Sequence, residues 1–238
     1  MVQKSKNKIK EIMRSHKEKT KEMELPIFLG YDENNMPLIV DLVKVGNILV
    51  GGASGQGKTN LLHAFAQSCW YALPKVSQSC IVYYIDSKSI EEFSPYFDIQ
   101  LNTIEDVRKE LESICDKIAK RETDKKMAQY PIAVLIDDFD HLVLTDKRLL
   151  EKIEYIAMQG PQVGIYTVLT TARMECKAVS VRLRADTACR IAFRTASTYE
   201  SRSIIYCPDA AQLTNNGEIL FYLNGKLTRL QTIKVTTK

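Results

Sequence analysis

An unbroken run in the first quarter of the chain has the residue types and the spacing of a phosphate-binding loop. The run matches GxxxxGK[ST] and consists of Gly52, Ala53, Ser54, Gly55, Gln56, Gly57, Lys58 and Thr59. Glycines allow successive backbone N–H groups to turn inward around a phosphate, and a following helix adds the positive end of its dipole. The Lys58 amine then reaches the β- and γ-phosphates, and the Thr59 hydroxyl binds Mg²⁺. We therefore predict a nucleoside triphosphate site made by these residues and Asn60, in preference to a glycine-rich turn that binds nothing.

Two adjacent carboxylates end a second apolar run. Residues 132–136 are apolar, and Asp137 and Asp138 follow at once. An acid at the end of a parallel strand lies at the carboxyl edge of the sheet, beside the phosphate loop. We predict that Asp137 holds Mg²⁺ through its water shell and that Asp138 is the catalytic residue that orients the attacking water. In the alternative interpretation, the pair only caps the next helix.

The hydrophobic pattern predicts strands and helices that alternate along the body of the chain. Predicted strands cover 38–43, 47–50, 80–85, 132–136, 165–170 and 190–193, and predicted helices cover 58–73, 104–127, 147–158 and 198–206. A final hairpin pairs 218–223 with 226–233, because Asn224-Gly225 favours a type I′ turn. Apolar strands that alternate with helices indicate a mostly parallel sheet covered on both faces. We therefore predict an α/β fold of the RecA-like P-loop NTPase type with a C-terminal β-hairpin.

Positive charge is concentrated at the start of the chain. Residues 1–23 carry eight Lys or Arg and three Glu, whereas the remaining residues hold 25 basic and 26 acidic side chains. Apolar residues at helical spacing follow Ile9, so we predict a basic helical linker over 1–23 and one folded domain over 24–238. We interpret the linker as a solvated connector, with attachment to DNA or anionic lipid as the alternative. The near-neutral body argues against a general nucleic-acid-binding surface.

Cysteine usage and hydropathy exclude several other classes of protein. The six cysteines are scattered and form no CxxC pair. This pattern argues against a disulfide framework or a zinc site and indicates a reducing, cytosolic environment. No run approaches the roughly 20 apolar residues that span a bilayer, and the first residues do not form a secretory signal. His63 and His141 are predicted to pack or cap rather than to catalyse.

Several short motifs, taken in order, resemble the FtsK/SpoIIIE family of hexameric motor ATPases over roughly residues 26–223. Residues 37–42 and 47–50 are similar to the family's entry into its phosphate loop, and 84–93 to its second strand and Ile-Asp-Pro-Lys turn, with Ser87 in place of the proline. Residues 164–173 are similar to its strand ending in Ala-Thr-Gln-Arg-Pro, and 189–202 to Thr-Arg-Ile-Ala-Phe followed by Asp-Ser-Arg. The resemblance implies that 24–238 is an ATPase domain that binds ATP with Mg²⁺.

Two departures from this pattern fall on residues of the hydrolysis machinery. Ala172 stands where the family strand usually ends in glutamine, and alanine offers no donor or acceptor. Asp138 replaces the usual glutamate and is one methylene shorter, so its carboxylate falls about an ångström short, a displacement that can cost about 10²-fold in rate. Lys58, Thr59 and Asp137 keep the family pattern. The resemblance therefore implies ATP binding with slow or absent turnover in the isolated domain.

This combination is similar to the distal ATPase domains of type VII secretion motors, the EssC/EccC branch of the family. Residues 25–32 and Gln56 resemble that branch in particular. The resemblance implies a soluble domain of a larger membrane-anchored chain, at the cytoplasmic face of the cell membrane. Its expected partners are sibling ATPase domains of the same chain and secreted helical-hairpin proteins, with hexameric assembly as a further option and without nucleic acid.

Two other functions stay open. The chain could be the motor core of a double-stranded DNA translocase whose pore loops supply local basic patches. It could also be an interaction scaffold with a vestigial phosphate loop. In a motor, an arginine can reach the nucleotide of a neighbouring subunit. The candidates for that role are Arg173, Arg182, Arg184, Arg190 and Arg202.

Overall fold

The computed structural model describes residues 8–72, 80–86, 94–124, 130–174 and 178–235. The strands are β1 Pro26–Tyr31, β2 Pro37–Asp41, β3 Ile48–Gly51, β4 Ile81–Asp86, β5 Ile99–Leu101, β6 Ile132–Asp137, β7 Ile165–Thr171, β8 Cys189–Phe193, β9 Glu218–Leu223 and β10 Lys226–Gln231. The helices are α1 Lys8–Ser15, α2 Lys17–Thr20, α3 Leu42–Val45, α4 Lys58–Ala72, α5 Ile104–Thr123, α6 Phe139–Thr145, α7 Arg148–Gln159, α8 Val181–Ala185 and α9 Thr198–Ile205. Short 3₁₀ helices cover Gly160–Val163 and Asp209–Gln212.

All ten strands of this described part form one sheet, in the order β2-β1-β10-β9-β8-β3-β7-β6-β4-β5. The strands from β8 to β5 run parallel, and β9, β10, β1 and β2 extend the sheet through antiparallel pairs. Asn224 and Gly225 both have positive φ in the β9–β10 turn, as a type I′ turn requires. The predicted α/β fold, mostly parallel sheet and C-terminal hairpin are confirmed.

The side chains of β6 show that helices cover both faces of the sheet. Ile132, Val134 and Ile136 belong to the apolar cluster that α5, α6 and α7 complete. Ala133 and Leu135 belong to a second apolar cluster, which α4 completes. Successive strand residues point to opposite faces, so the two clusters lie on opposite sides of the sheet.

The N-terminal helix packs on the body of the protein. Ile9, Ile12 and Met13 of α1 are buried in a third cluster with Phe28 of β1 and Ala64 of α4. The predicted helix is confirmed for residues 8–15. The expectation that this segment is solvated is wrong for its apolar stripe at i, i+3 and i+4, because α4 covers it. Residues 1–7 lie outside the described residues, and the domain boundary at residue 24 stays a prediction.

The C-terminal segment reaches the same third cluster. Ile233 and Val235 follow β10 and pack, partly buried, against the residues that α1 and α4 contribute. Both terminal segments of the described chain therefore contact the helix that follows the phosphate loop.

Some element boundaries differ from the sequence prediction for local reasons. The strand predicted over 38–43 ends at Asp41, whose carboxylate accepts from the N–H of Val43 at 3.2 Å and starts α3. The helix predicted over 104–127 ends at Thr123. The pattern did not predict β1, β5, α3, α6 or α8. The predicted end of α4 at residue 73 lies outside the described residues.

In the described part, no helix is long and apolar enough to cross a membrane.

Candidate functional site

The GxxxxGK[ST] run forms a loop at the carboxyl end of β3, which lies between β7 and β8. Gly52 has a φ of 144°, and a Cβ there would lie 2.7 Å from Cβ of Phe193, so a side chain does not fit. The N–H of Ala53 donates to the carbonyl oxygen of Arg194 at 2.9 Å. Contacts to the end of β8 therefore fix the start of the loop.

The Lys58 amine lies against the start of the same loop. Its Nζ donates to the carbonyl oxygens of Gly52 at 2.8 Å and Ala53 at 3.1 Å. The side chain is buried, and a buried ammonium requires such polar partners. The first turn of α4 thus carries a fixed positive charge where the loop would meet the β- and γ-phosphates of a nucleotide.

The structure brings Thr59 and Asp137 together across 78 positions of sequence. Oγ1 of Thr59 donates to Oδ2 of Asp137 at 2.5 Å. Because the hydroxyl uses its hydrogen for this bond, its oxygen lone pairs stay available for a cation. A hydroxyl and a carboxylate are oxygen ligands of the kind Mg²⁺ takes, usually with several waters and substrate phosphates. These two residues therefore fit a Mg²⁺ site.

Two further hydroxyls that sequence reasoning missed hold Asp137. Oγ1 of Thr170, near the end of β7, donates to Oδ1 of Asp137 at 2.5 Å. The Tyr84 hydroxyl, from β4, lies 3.4 Å from Oδ2. Burial, followed by the charge of Asp137, raises the pKa of Tyr84, so the phenol stays protonated. In the sequence, these two contacts are indicated by a polar residue near the carboxyl end of each strand that neighbours β6.

Asp138 adopts a strained backbone conformation directly after β6. Its φ is 45°, in the left-handed region that non-glycine residues rarely occupy. Its N–H donates to Oγ1 of Thr170 at 2.9 Å. Its side chain makes no capping hydrogen bond to α6. The alternative interpretation, in which this carboxylate only caps the next helix, therefore has no support from the structure. Such outliers cost on the order of 1–3 kcal/mol and cluster at functional sites.

Ala172 lies one residue beyond β7, the strand between β3 and β6. Its methyl group places no hydrogen-bonding group at this position. Asp86 ends β4 and pairs in register with Asp137, so another buried carboxyl group lies at the same edge of the sheet. Lys88, two residues after Asp86, lies outside the described residues.

The remaining predicted binding residues occupy the outer part of the loop. Ser54 and Gly55 are exposed, whereas Gln56 is buried and its carbonyl oxygen accepts from the N–H of Gly217 at 3.2 Å. The side chain of Asn60 binds the backbone of the C-terminal segment, with Nδ2 donating to the oxygen of Ile233 at 2.7 Å. The Asn60 side chain thus serves a structural contact.

Burial separates the five candidate arginines into two groups. Arg190 is buried and donates to the carbonyl oxygens of Arg184 and Ile204, and Arg184 donates to that of Ser203 at 2.9 Å. Burial lowers the pKa of Arg190. These two guanidinium groups make their hydrogen bonds within the fold. The exposed candidates are Arg173, Arg182 and Arg202.

The two predicted non-catalytic histidines have different surroundings. His63 of α4 is buried between the rings of Tyr84 and Phe97, at centroid distances of 5.4 and 5.1 Å. Burial lowers the pKa of His63, which favours the neutral ring expected of a packing residue. His141 is exposed in the first turn of α6.

Comparison with known proteins gives matches over most of the chain. Residues 8–116 match the FtsK/SpoIIIE family. The chain is 26% identical to the DNA translocase FtsK of Chlorobaculum tepidum, over 95% of this chain and 32% of that protein. It is also 26% identical to the DNA translocase SftA of Bacillus subtilis, over 94% of this chain and 26% of that protein. The chain thus spans about a third or less of the length of these curated relatives.

Solved structures share the fold at lower sequence identity. The conjugation coupling protein TcpA of pCW3, solved with ATPgS, has a TM-score of 0.75 and 20% identity, over 90% of this chain and 67% of that chain. The cytoplasmic domain of the type VII secretion ATPase EccC of Thermomonospora curvata has a TM-score of 0.73 and 19% identity, over 90% of this chain and 29% of that chain. Together, the family match over residues 8–116 and the curated relatives show that the chain is similar to the FtsK/SpoIIIE family, and the solved structures show that it shares their fold.

Proposed function

We propose that the chain binds Mg·ATP at the loop formed by residues 52–59 and works as an ATPase module of a motor. The contact that carries this proposal is the 2.5 Å hydrogen bond between Thr59 and Asp137, beside the Lys58 amine. Thr59 and Asp137 would hold Mg²⁺, which neutralises charge on the phosphates. Lys58 and the start of α4 supply the fixed positive charge.

Hydrolysis by the isolated chain is proposed to be slow. Asp138 is the carboxylate assigned to orient water, and it is shorter than glutamate. Ala172 offers no hydrogen bond where a glutamine would act. Loss of one positioned polar group typically costs about 10²–10³-fold in rate. The chain would then contribute mainly by binding ATP rather than by hydrolysing it, unless a neighbouring subunit completes the site.

The proposed cargo is a secreted helical-hairpin protein, within a type VII secretion motor that carries sibling ATPase domains and sits at the cytoplasmic face of a membrane. The near-neutral charge of residues 24–238 supports a protein cargo over a nucleic acid. The fold shared with the EccC domain is consistent with this proposal. Hexameric assembly belongs to the same proposal.

A double-stranded DNA translocase is the second candidate, which the names of the curated relatives favour. Fluorescence anisotropy at physiological salt with labelled duplex DNA and a labelled helical-hairpin peptide separates the two. Peptide binding without DNA binding supports the secretion motor. DNA binding with a steep salt dependence and no peptide binding makes the chain a DNA motor.

Calorimetric titration of Lys58→Ala with Mg·ATP tests the nucleotide site. We expect binding to be lost while the fold is kept, because the substitution removes the fixed charge at the loop. Lys44→Ala is the matched control, since Lys44 is exposed on α3. Unchanged affinity of Lys58→Ala for Mg·ATP would overturn the assignment of the site.

A further inference from the structure

A small cavity, here called the amino-edge cavity, lies at the edge of the sheet opposite the phosphate loop. Ile81 and Ile132, the first residues of β4 and β6, line it and pair in register. Asp137 is the last residue of β6, and a rise of about 3.3 Å per residue puts the two ends of this strand roughly 16 Å apart. The cavity is therefore separate from the proposed nucleotide site.

Positive charge is concentrated at the amino-edge cavity. Besides the two isoleucines, the lining residues are Tyr130 and three basic residues of α5, namely Lys117, Lys120 and Arg121. Lys117 forms an ion pair with Glu110 at 3.1 Å. In the part of the chain that the structure describes, neither of the other two bases has a carboxylate within ion-pair distance. The cavity thus keeps an excess of two positive charges.

Arg121 is a buried member of this set, with 6% of its surface exposed. Its Nη1 donates to the carbonyl oxygen of Val163 at 3.0 Å, and its Nη2 donates to that of Tyr130 at 3.1 Å. The guanidinium carbon also lies 5.5 Å from the centre of the Tyr130 ring. These contacts orient the guanidinium without neutralising it, and among the described residues its Nε has no hydrogen-bond acceptor.

The environment of Arg121 favours an anionic ligand. Burial lowers the pKa of Arg121, but a guanidinium stays charged in proteins. Buried charges are normally paired with an opposite charge. A guanidinium binds carboxylate and phosphate groups in preference to other anions, because its planar fork of donors matches their oxygens.

The size and the apolar part of the lining distinguish between these two groups. The volume of about 160 Å³ is below the roughly 300–1,000 Å³ of small-molecule sites, so the cavity holds one functional group rather than a nucleotide. Ile81, Ile132 and the Tyr130 ring would bury the methylene groups of an aliphatic stem. Inorganic phosphate has no such stem, whereas a glutamate side chain has both the stem and the carboxylate.

We propose that the amino-edge cavity takes an acidic side chain of the glutamate type from a protein partner. Its carboxylate would bind Arg121 and Lys120, and its methylene groups would pack on Ile81 and Ile132. The partner would then dock on the edge of the sheet opposite the phosphate loop. This inference does not depend on the proposed nucleotide function, so either can fail alone.

NMR of the Nε–H signal of Arg121 in the ¹⁵N-labelled chain gives a direct test. Arg121→Lys removes this signal and so assigns it. We expect N-acetylglutamate amide to shift the signal in a saturable titration. N-acetylglutamine amide has the same length but no charge, and inorganic phosphate has the charge but no stem. Each of these two probes should bind at least about tenfold more weakly.

A pair of charge reversals on α5 locates the binding site. Lys120→Glu changes an exposed residue, so it should leave the fold intact, and like-charge repulsion should weaken binding of N-acetylglutamate amide about tenfold. Lys109→Glu is the matched control, because Lys109 is exposed on the same helix and lies about 16 Å away along its axis. This variant should bind the probe like the wild type.

Three outcomes would overturn the inference. The first is the absence of a saturable shift with N-acetylglutamate amide, or an equal shift with its glutamine analogue. The second is tighter binding of inorganic phosphate than of N-acetylglutamate amide, which would make the cavity a phosphate site. The third is an equal effect of Lys120→Glu and Lys109→Glu, which would mean that the probe binds elsewhere.

Discussion

Oγ1 of Thr170 lies 2.5 Å from Oδ1 of Asp137 and also accepts the N–H of Asp138 at 2.9 Å. One hydroxyl from β7 thus positions both consecutive acids at the end of β6. The second carboxylate oxygen of Asp137 is left to Thr59 and Tyr84. The orientation of the proposed metal ligand is therefore set by three different elements, α4, β4 and β7.

Thr170→Val should weaken Mg²⁺-dependent ATP binding about tenfold, because it removes the hydroxyl that orients Asp137. The unpaired buried groups should also lower the free energy of unfolding by about 1–3 kcal/mol. Calorimetry with Mg²⁺ and with EDTA measures the first effect. Thr170→Ser keeps the hydroxyl and should restore Mg²⁺ dependence. Equal weakening with and without Mg²⁺ would contradict the role of Thr170.

Asp138→Glu combined with Ala172→Gln should raise the rate of ATP hydrolysis by about 10²-fold or more, because both side chains would regain the reach and the hydrogen-bonding groups for water. Affinity for Mg·ATP should stay the same. Phosphate release under saturating ATP measures the rate. An unchanged rate would show that these two positions do not limit turnover.

Met13→Ala should lower the free energy of unfolding by about 2–5 kcal/mol, the usual cost of truncating a buried methionine. Met13 is buried between α1 and the body. Chemical denaturation followed by circular dichroism provides the measurement. Lys17→Ala, at an exposed position of α2, is the control and should have little effect. Equal stability of the two variants would mean that α1 does not pack on α4 in solution.

Asp146→Asn should destabilise the protein at neutral pH and progressively less as the pH falls below about 4. Hydrogen bonds from Arg148 and then Arg108 hold the pKa of Asp146 well below its ordinary value. A depressed pKa stabilises the fold above the unfolded value of about 3.9, and this contribution is lost as pH falls toward the folded pKa. Denaturation of the wild type and the variant between about pH 7 and pH 3 measures the difference in their free energies of unfolding. This difference should shrink below about pH 4. Asp116→Asn, exposed on α5, should show no such trend.

The sequence predicted those features that depend on local residue types. The phosphate loop, the acid at the end of β6 and the Asn224-Gly225 turn each need only a few neighbouring residues. Thr170 and Tyr84 could not be found in this way, because their contact with Asp137 depends on which strands are neighbours in the sheet. The burial of α1 was missed for the same reason, because the apolar stripe is visible in the sequence but its packing partners on β1 and α4 are set by the tertiary fold.

The shared contact of both terminal segments with α4 has a thermodynamic consequence. Ile9 of α1 and Val235 of the C-terminal segment belong to one apolar cluster on the helix that begins at Lys58. If a partner that lifts either segment changes the affinity for nucleotide by some factor, the two binding events are coupled through α4. Binding is reciprocal, so nucleotide must change the affinity for that partner by the same factor. Nucleotide binding at the phosphate loop and partner binding at α1 or the C-terminal segment would then be thermodynamically coupled.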